Sequence, residues 1–273
     1  MKKVIAALDN SLAAGTVLAT AASLARLFGV GVEAVHVRED GDRLARSEAE
    51  AAGLALRALD GPTVQALVAA GQDEDVLALV VGSRRLPLTG RPVGTTALEV
   101  ITSVLRPVAV VPPDAARPGA LERVLVPLEG TISTSIAPKA IIELAQDAHL
   151  DVVALHVHDF ESLPAFTDQP QHQAEAWGKE FLARYCPWGL DKVTLELRVG
   201  RRAEQILAVA EEVHADVIAL GWSQELAAGR APVVREVLER GRIPALLVPV
   251  HLADTNDRNE REESCSNSHS LPA

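Results

Sequence analysis

Two stretches of the chain, 4-VIAALDNS-11 and 124-VLVPLEGT-131, share one pattern, and this pattern decides the fold. Each is a short apolar run that ends in an acidic residue, Asp9 or Glu129, and is followed by small polar residues. Such a run is typical of a buried strand, and the periodic segment after it is typical of a helix. The two acids lie 120 positions apart, which indicates an internal repeat.

Further landmarks follow in the same order in both halves of the chain. The runs 32-VEAVHV-37 and 152-VVALHV-157 keep the offset of 120, whereas Gly82 and Gly221, which end two later apolar runs, lie 139 positions apart. The 19 extra positions fall in the connection 159–192 of the second half. Insertions confined to connections are expected of two copies of one fold.

Each half is predicted to alternate five strands with four helices. The strands are nearly continuous runs of Val, Ile, Leu and Ala, the pattern of parallel strands that helices cover on both faces. Such alternation implies right-handed crossovers and an α/β, doubly wound sheet. Ser11 or Asn10 is predicted to start the first helix at 12–28, and Gly29 is predicted to end it.

Changes in composition divide the chain into two domains and a tail. A linker rich in Pro, Ala and Gly predicts a first domain at 1–113, with a shortened second helix, and a second domain at 121–251. Residues 252–273 are polar, charged and aperiodic, so they are predicted to be disordered.

Charge and hydropathy limit the classes of partner. The net charge of −11 argues against nucleic acid and against anionic membranes. No apolar run approaches the roughly 20 residues that span a bilayer, and Asp9 interrupts the first run well short of a signal peptide. Cys186 and Cys265 have no metal-ligand spacing and suggest reduced thiols. A soluble, cytoplasmic protein is therefore expected.

In this order, and in duplicate, the landmarks resemble the universal stress protein family in a tandem two-domain form. The resemblance covers about residues 3–250 and includes a glycine-rich loop before the last helix of the first half and the closing strands at 106–113 and 242–250. It implies a five-stranded parallel sheet of order 3-2-1-4-5 in each domain, with the two final strands pairing into a pseudo-dimer. A further homodimer of whole chains stays open, and members of the family divide into ATP binders and non-binders.

The loop 82-GSRRLPLTGRPVGTTALEV-100 decides whether a nucleotide is expected. In the ATP-binding members this loop looks like G-x2-G-x9-G-[ST], and its N–H groups wrap the phosphates at a helix N-terminus. Gly82 supplies the first glycine and 94-GTT-96 the closing element. Arg85 stands in place of the middle glycine, and the loop is one residue shorter than the pattern.

The resemblance implies a site for ATP or another adenine nucleotide, with or without Mg²⁺, where the first and fourth strands diverge. Asp9 would contact the nucleoside end, and Val37 would lend backbone atoms to the base. The alternative for Asp9 is a helix cap or a loop carboxylate, and the alternative for 94-GTT-96 is a plain helix start. The expected nucleotide-contacting residues are Ala7, Asp9, Val37, Gly82, Ser83, Gly94, Thr95 and Thr96.

The second half retains less of this pattern. Ala231 and Pro232 stand where the first half has Gly94 and Thr95, and a proline removes one N–H donor. Trp222 is expected to crowd the mouth of the loop. The second half is therefore predicted to be structural, or to bind something else.

Other chemistry has weaker support in the sequence. His156 and His158 share one face of a strand end, but no third metal ligand has a suggestive spacing, so a backbone partner is the preferred interpretation. No nucleophile elbow or GxxxxGK[ST] loop is present. The expected protein is a regulatory, non-catalytic nucleotide binder, or at most a slow ATPase. The alternative is a scaffold that binds a protein partner and no nucleotide.

Overall fold

The computed structural model describes residues 1–38, 41–83, 95–128, 150–158, 176, 178–183, 193–226 and 231–249. The predicted tail at 252–273 lies outside the described residues, and so do Arg85, Gly94 and Glu129.

The first half alternates strands and helices from the first strand to the fifth. Its elements are β1 (Lys3–Ala7), α1 (Ala14–Leu27), β2 (Gly31–Val37), α2 (Arg43–Ala51), β3 (Leu56–Leu59), α3 (Thr63–Gly71), β4 (Val76–Gly82), α4 (Thr95–Ser103) and β5 (Val108–Val111).

The second half repeats this alternation where it is described. Its elements are β6 (Arg123–Pro127), β7 (Asp151–His158), β8 (Val193–Val199), α5 (Arg202–Glu212), β9 (Val217–Trp222), α6 (Pro232–Arg240) and β10 (Ala245–Pro249). A short helical segment also lies at 178–183.

The ten strands form one sheet with the order β3-β2-β1-β4-β5-β10-β9-β6-β7-β8. Each half therefore has the internal order 3-2-1-4-5 that the resemblance implies. Neighbouring strands are parallel within each half, whereas β5 and β10 are antiparallel, with Val110 opposite Ala245 and Val108 opposite Leu247. The α/β doubly wound fold is confirmed, and the final strands of the two halves pair.

Helices cover both faces of this sheet because successive strand residues point to opposite sides. On one face α1 and α2 bury Leu18, Leu24 and Ala45 against β1 and its neighbours. On the other face α3 and α4, and in the second half α5 and α6, bury residues such as Ile101 and Val237. The small Ala and Val side chains that dominate both cores let helices pack closely on the strands.

The start of α1 differs from the sequence prediction, whereas its end agrees with it. The helix begins at Ala14, not at position 12, and Asn10 serves a different helix: its side-chain oxygen accepts a hydrogen bond of 2.7 Å from the N–H of Leu44, in the first turn of α2. At the other end Gly29 adopts a φ of 64°, and the N–H of Val30 reaches back to the carbonyl of Ala25 at 2.9 Å. This is the left-handed termination that glycine favours.

The linker after β5 is bound to the helices of the first half. The guanidinium of Arg117 lies 2.9 Å from both carboxylate oxygens of Glu48 in α2. The carbonyl of Gly119 accepts hydrogen bonds from the side chains of Ser23 and Arg26 in α1. No helix among the described residues is long and apolar enough to span a bilayer.

Candidate functional site

The carboxyl ends of β1 and β4 lie side by side in the first half. Ala7, the last residue of β1, pairs with Val35 of β2 and with Val81 of β4. The helix after β1 packs on one face of the sheet and the helix after β4 packs on the other. The chain thus leaves two neighbouring strands in opposite directions. The space beyond these strand ends, called the crevice here, is where open α/β sheets bind ligands.

Asp9 is a half-buried loop carboxylate just beyond the end of β1. Its Oδ1 accepts hydrogen bonds from the hydroxyl of Ser11 at 2.5 Å and from the N–H of Ser11 at 3.2 Å. The Ser11 oxygen in turn accepts a bond of 3.2 Å from the N–H of Ala13. These bonds hold the chain in a local turn, which explains why α1 begins only at Ala14. They also fix the direction of the Asp9 side chain at the edge of the crevice.

The predicted residues of β2 and β4 come to the same edge of the sheet. Val37 ends β2 and is buried, and Gly82 ends β4, where a Cβ would lie 3.4 Å from Val17 of α1. Ser83 is also buried, and its N–H and hydroxyl both donate to the carbonyl of Val111, at 2.8 and 3.3 Å. The Ser83 hydroxyl therefore has a partner in β5.

Helix α4 spans Thr95–Ser103, so Thr95 and Thr96 are the first residues of its described part. Thr95 and Thr96 are exposed, and α4 is held to the sheet through Ala97 and Val100. The first N–H groups of a helix have no acceptor within it, so they are available to an anion or to water. Gly94 lies outside the described residues.

Two histidines at equivalent positions hold the ends of β1 and β6. The Nδ1 of His36 lies 2.8 Å from the carbonyl oxygen of Leu8, and the Nδ1 of His156 lies 2.8 Å from that of Leu128. A carbonyl only accepts, so each Nδ1 carries the proton. The Nε2 of His36 is buried and has no hydrogen-bond partner among the residues that the structure describes. The interpretation of His156 as a strand-end histidine with a backbone partner is confirmed.

His156 also packs against rings of its own half. Its ring centroid lies 4.5 Å from that of His158, edge to face, and 4.6 Å from that of Phe181. Burial lowers the pKa of His156, the hydrogen bond to Leu128 opposes this shift, and the positive charge of Arg202 adds to it. Among the described residues no group of three His, Cys, Asp or Glu side chains is gathered around a common point.

The second half has a pocket at the carboxyl ends of β6, β7 and β9. The lining residues are Pro127, Leu128, Leu155, Val157, Arg202, Ile206, Leu220, Gly221, Val233 and Val234. Leu128, Val157 and Gly221 are the counterparts of Leu8, Val37 and Gly82, so the pocket corresponds in position to the crevice of the first half. Trp222, which was expected to crowd this region, is not in the lining.

Trp222 is instead a core residue of the second half. Its side chain is 4% exposed and belongs to the apolar core with Leu220 and Val234. It ends β9 opposite Pro249 of β10. The bulky ring packs on the face of the sheet that α5 and α6 cover, and it therefore stabilises the strand end.

Two residues of the β9–α6 connection adopt left-handed backbone conformations. Gln224, the counterpart of Arg85, has a φ of 60°, and Ala231, the counterpart of Gly94, has φ 45° and ψ 47°. These are the two positions where the family pattern has its second and third glycines. Glycine adopts such conformations without the steric cost that a Cβ brings. The glycines of the pattern thus have a backbone role besides approach to a ligand.

Gln224 also connects the two halves. Its side-chain nitrogen donates to the carbonyls of Val104 at 2.7 Å and Ile101 at 3.3 Å, at the C-terminal end of α4. A loop of the second half therefore binds the far end of the helix that begins at the candidate site. This contact had no signal in the sequence, because it depends on how the two halves meet.

Comparison with known sequences identifies the class of the second half. Residues 120–249 match the sequence model described as the universal stress protein family. The second half of the chain is therefore a domain of the universal stress protein family. No curated protein sequence matches the chain.

Solved structures share the fold over nearly the whole chain. A universal stress protein from Archaeoglobus fulgidus DSM 4304 aligns with 91% of this chain and 98% of its own, at 17% identity and a TM-score of 0.63. A functionally unknown protein from Pseudomonas aeruginosa PAO1 aligns with 93% of this chain and 98% of its own, at 15% identity and a TM-score of 0.65. A universal stress protein in complex with cAMP aligns with 48% of this chain and 99% of its own, at 21% identity and a TM-score of 0.38.

Proposed function

We propose that the first half binds an adenine nucleotide, with ATP as the expected ligand, in the crevice between the ends of β1 and β4. The protein would act in the cytoplasm as a nucleotide-responsive regulatory protein of the universal stress type. The second half, at 121–251, would act as the fixed partner of the first half, at 1–113.

The observation that carries this proposal is that Asp9 and helix α4 follow the carboxyl ends of two neighbouring strands, β1 and β4. A carboxylate is a good acceptor for the hydroxyl groups of a ribose, and Asp9 is already oriented by Ser11. The N–H groups of a helix's first turn have no acceptor within the helix, so those near Thr95 suit a phosphate. A donor set and an acceptor that follow neighbouring strand ends suit the two polar ends of a nucleotide.

The candidate phosphate loop of the first half, at 82–100, contains no lysine. Lys2 and Lys3 are the only lysines of the first half. Lys3 lies at the opposite edge of the sheet, where its ammonium pairs with Glu33 at 3.0 Å. Phosphoryl transfer depends on cations held against the phosphates. We therefore propose binding without efficient catalysis, and at most slow hydrolysis.

A second candidate is a protein-binding scaffold without a nucleotide. Leu12 is 91% exposed and Leu44 is 38% exposed. Both lie near Asn10, because the Asn10 side chain binds the N–H of Leu44. Exposed apolar side chains beside a crevice suit contact with another protein surface.

The test is calorimetric titration of the full chain with ATP, with and without Mg²⁺, together with thermal unfolding. Saturating ATP at a hundred times its Kd should stabilise the protein by about 2.7 kcal/mol. Asp9→Ala removes hydrogen bonds to a charged acceptor and should weaken ATP binding by about ten- to a hundredfold. Gly94→Val should abolish the rise in thermal midpoint that ATP causes. Glu74→Ala, at the opposite edge of the sheet, should leave both that rise and the affinity for ATP unchanged.

The outcomes separate the candidates. No saturable binding at millimolar ATP refutes the nucleotide proposal and favours the scaffold. Turnover of ATP that Asp9→Ala abolishes without loss of binding refutes the non-catalytic part and indicates an enzyme.

A further inference from the structure

The pocket of the second half has the form of a ligand site. About 60 Å³ of it can be reached by a water-sized molecule, so it accepts a narrow apolar group, and it opens to solvent at its mouth. Its walls come from three strand ends and from the first turns of α5 and α6. Packed strands and helices, not loops, therefore set its shape.

The lining is apolar apart from one side chain. Most of its members, among them Leu155, Ile206 and Leu220, carry aliphatic side chains, and Arg202 is the charged exception. The free energy of the system falls when an apolar group displaces water from such walls. The body of a suitable ligand is therefore a hydrocarbon chain or a single ring.

Arg202 supplies a positive charge at the rim. Its neighbour Arg201 pairs with Glu204 at 2.8 Å and with Glu236 at 3.7 Å. Among the described residues no carboxylate pairs with Arg202, which is exposed. A guanidinium that no described carboxylate neutralises, beside an apolar pocket, matches a ligand with an anionic head, and a carboxylate fits its fork of N–H donors.

The same pocket suits a nucleotide poorly. Pro232 starts α6 and has no N–H to offer to a phosphate, and Ala231 before it carries a Cβ where the first half has glycine. The lining also offers no polar side chain other than Arg202 for the edge of a base. A charged triphosphate and a hydrogen-bonding base would both be left unpaired on aliphatic walls, which costs free energy.

We propose that the second half binds a small amphiphilic carboxylate, of the class of a medium-chain fatty acid. The hydrocarbon chain lies against Leu155, Ile206 and Leu220, and the carboxylate pairs with Arg202. This site is separate from the nucleotide site proposed for the first half. One chain would then respond to two chemically different ligands.

The test is calorimetric titration of the full chain with octanoate below its micelle-forming range. Octanoate should bind with one site per chain, and hexanoate, with two fewer methylenes, should bind about tenfold more weakly. Arg202→Gln should weaken octanoate about five- to tenfold and leave the weaker binding of neutral octanol unchanged. Arg43→Gln, which removes an exposed arginine from α2 in the first half, should leave both affinities as they are.

A second variant tests the location. Val233→Phe places a ring in the pocket from a partly exposed position and should abolish octanoate binding, while the thermal midpoint and ATP binding of the variant report that it is folded. The proposal is overturned if octanoate shows no saturable binding, or if Arg202→Gln and Arg43→Gln lose the same amount of octanoate affinity. It is also overturned if a folded Val233→Phe variant binds octanoate as tightly as wild type. Displacement of octanoate by ATP in a Gly94→Val background would instead identify a second nucleotide site, and it would overturn the assigned ligand class.

Discussion

Replacing Ala231 by glycine should stabilise the protein, although the substitution removes a methyl group from a folded segment. Ala231 has φ 45° and ψ 47°, the left-handed region, immediately before α6. In that region the Cβ of an L-residue lies too close to the backbone carbonyl oxygen that follows it. Glycine removes this repulsion, and it is the residue found at the equivalent position of the first half, Gly94.

The size of the effect follows from two opposing contributions. The left-handed conformation costs alanine about 1–2 kcal/mol. Glycine gains roughly 0.5–1 kcal/mol of additional conformational entropy in the unfolded chain, which reduces the benefit. The net expected gain for Ala231→Gly is therefore about 0.5–1 kcal/mol. For a chain of this size that corresponds to a rise of roughly 1–4 °C in the midpoint of thermal unfolding.

The assay is thermal unfolding followed by circular dichroism, with a matched substitution as the control. Ala208 is exposed in the middle of α5, so Ala208→Gly should lower the stability by about 1 kcal/mol. The same chemical change should thus act in opposite directions at the two positions. If Ala231→Gly lowers the midpoint as Ala208→Gly does, backbone strain at position 231 is not the dominant effect and the reasoning is wrong.

Two further predictions concern a buried ring and the contact between the halves. Burial lowers the pKa of His156 from its ordinary value of 6.5. The contribution of the neutral ring to stability is therefore fully present above pH 6.5, and it is lost as the pH falls from 6.5 through the lowered pKa of the folded state. Between pH 7.5 and pH 5.5 the free energy of unfolding in urea should fall more for wild type than for His156→Asn. An equal fall in both proteins would contradict a lowered pKa for His156. Gln224→Ala removes the hydrogen bonds to the carbonyls of Ile101 and Val104 and should lower the stability by about 1–2 kcal/mol, whereas an exposed change in α3, Gln65→Ala, should have little effect.

The alternation of strands and helices could be predicted because its landmarks occur twice in the chain, whereas the order of the strands in the sheet followed from the resemblance to the universal stress protein family. The acid after β1 and the strand residue His36 recur in the second half at the same offset. The assignment of strands in one half can therefore be checked against the other half. The local end of α1 was equally accessible, because the left-handed turn at Gly29 depends on one residue. Features fixed by neighbouring residues or by repetition are the ones that sequence patterns reveal.

Features that depend on the meeting of distant segments could not be predicted in this way. Asn10 looks like a cap for the helix that follows it, yet it binds the N–H of Leu44, which comes within reach only after β2 has returned beside β1. Trp222 resembles a loop residue in sequence, but the core on one face of the sheet has room for its ring. The role of Arg202 at a pocket mouth likewise needs the ends of three strands in place.

The antiparallel pairing of β5 with β10 has a consequence for the independence of the two halves. In a homodimer with this interface every mutation would be present in both subunits. A proline at the position of Pro232 would then affect both sites together. Here the partners are covalently joined, so they meet at a local concentration that dilution cannot lower. Each half can then lose or change its ligand separately, and the asymmetry between the crevice near Asp9 and the pocket near Arg202 is the kind of specialisation that such a fusion allows.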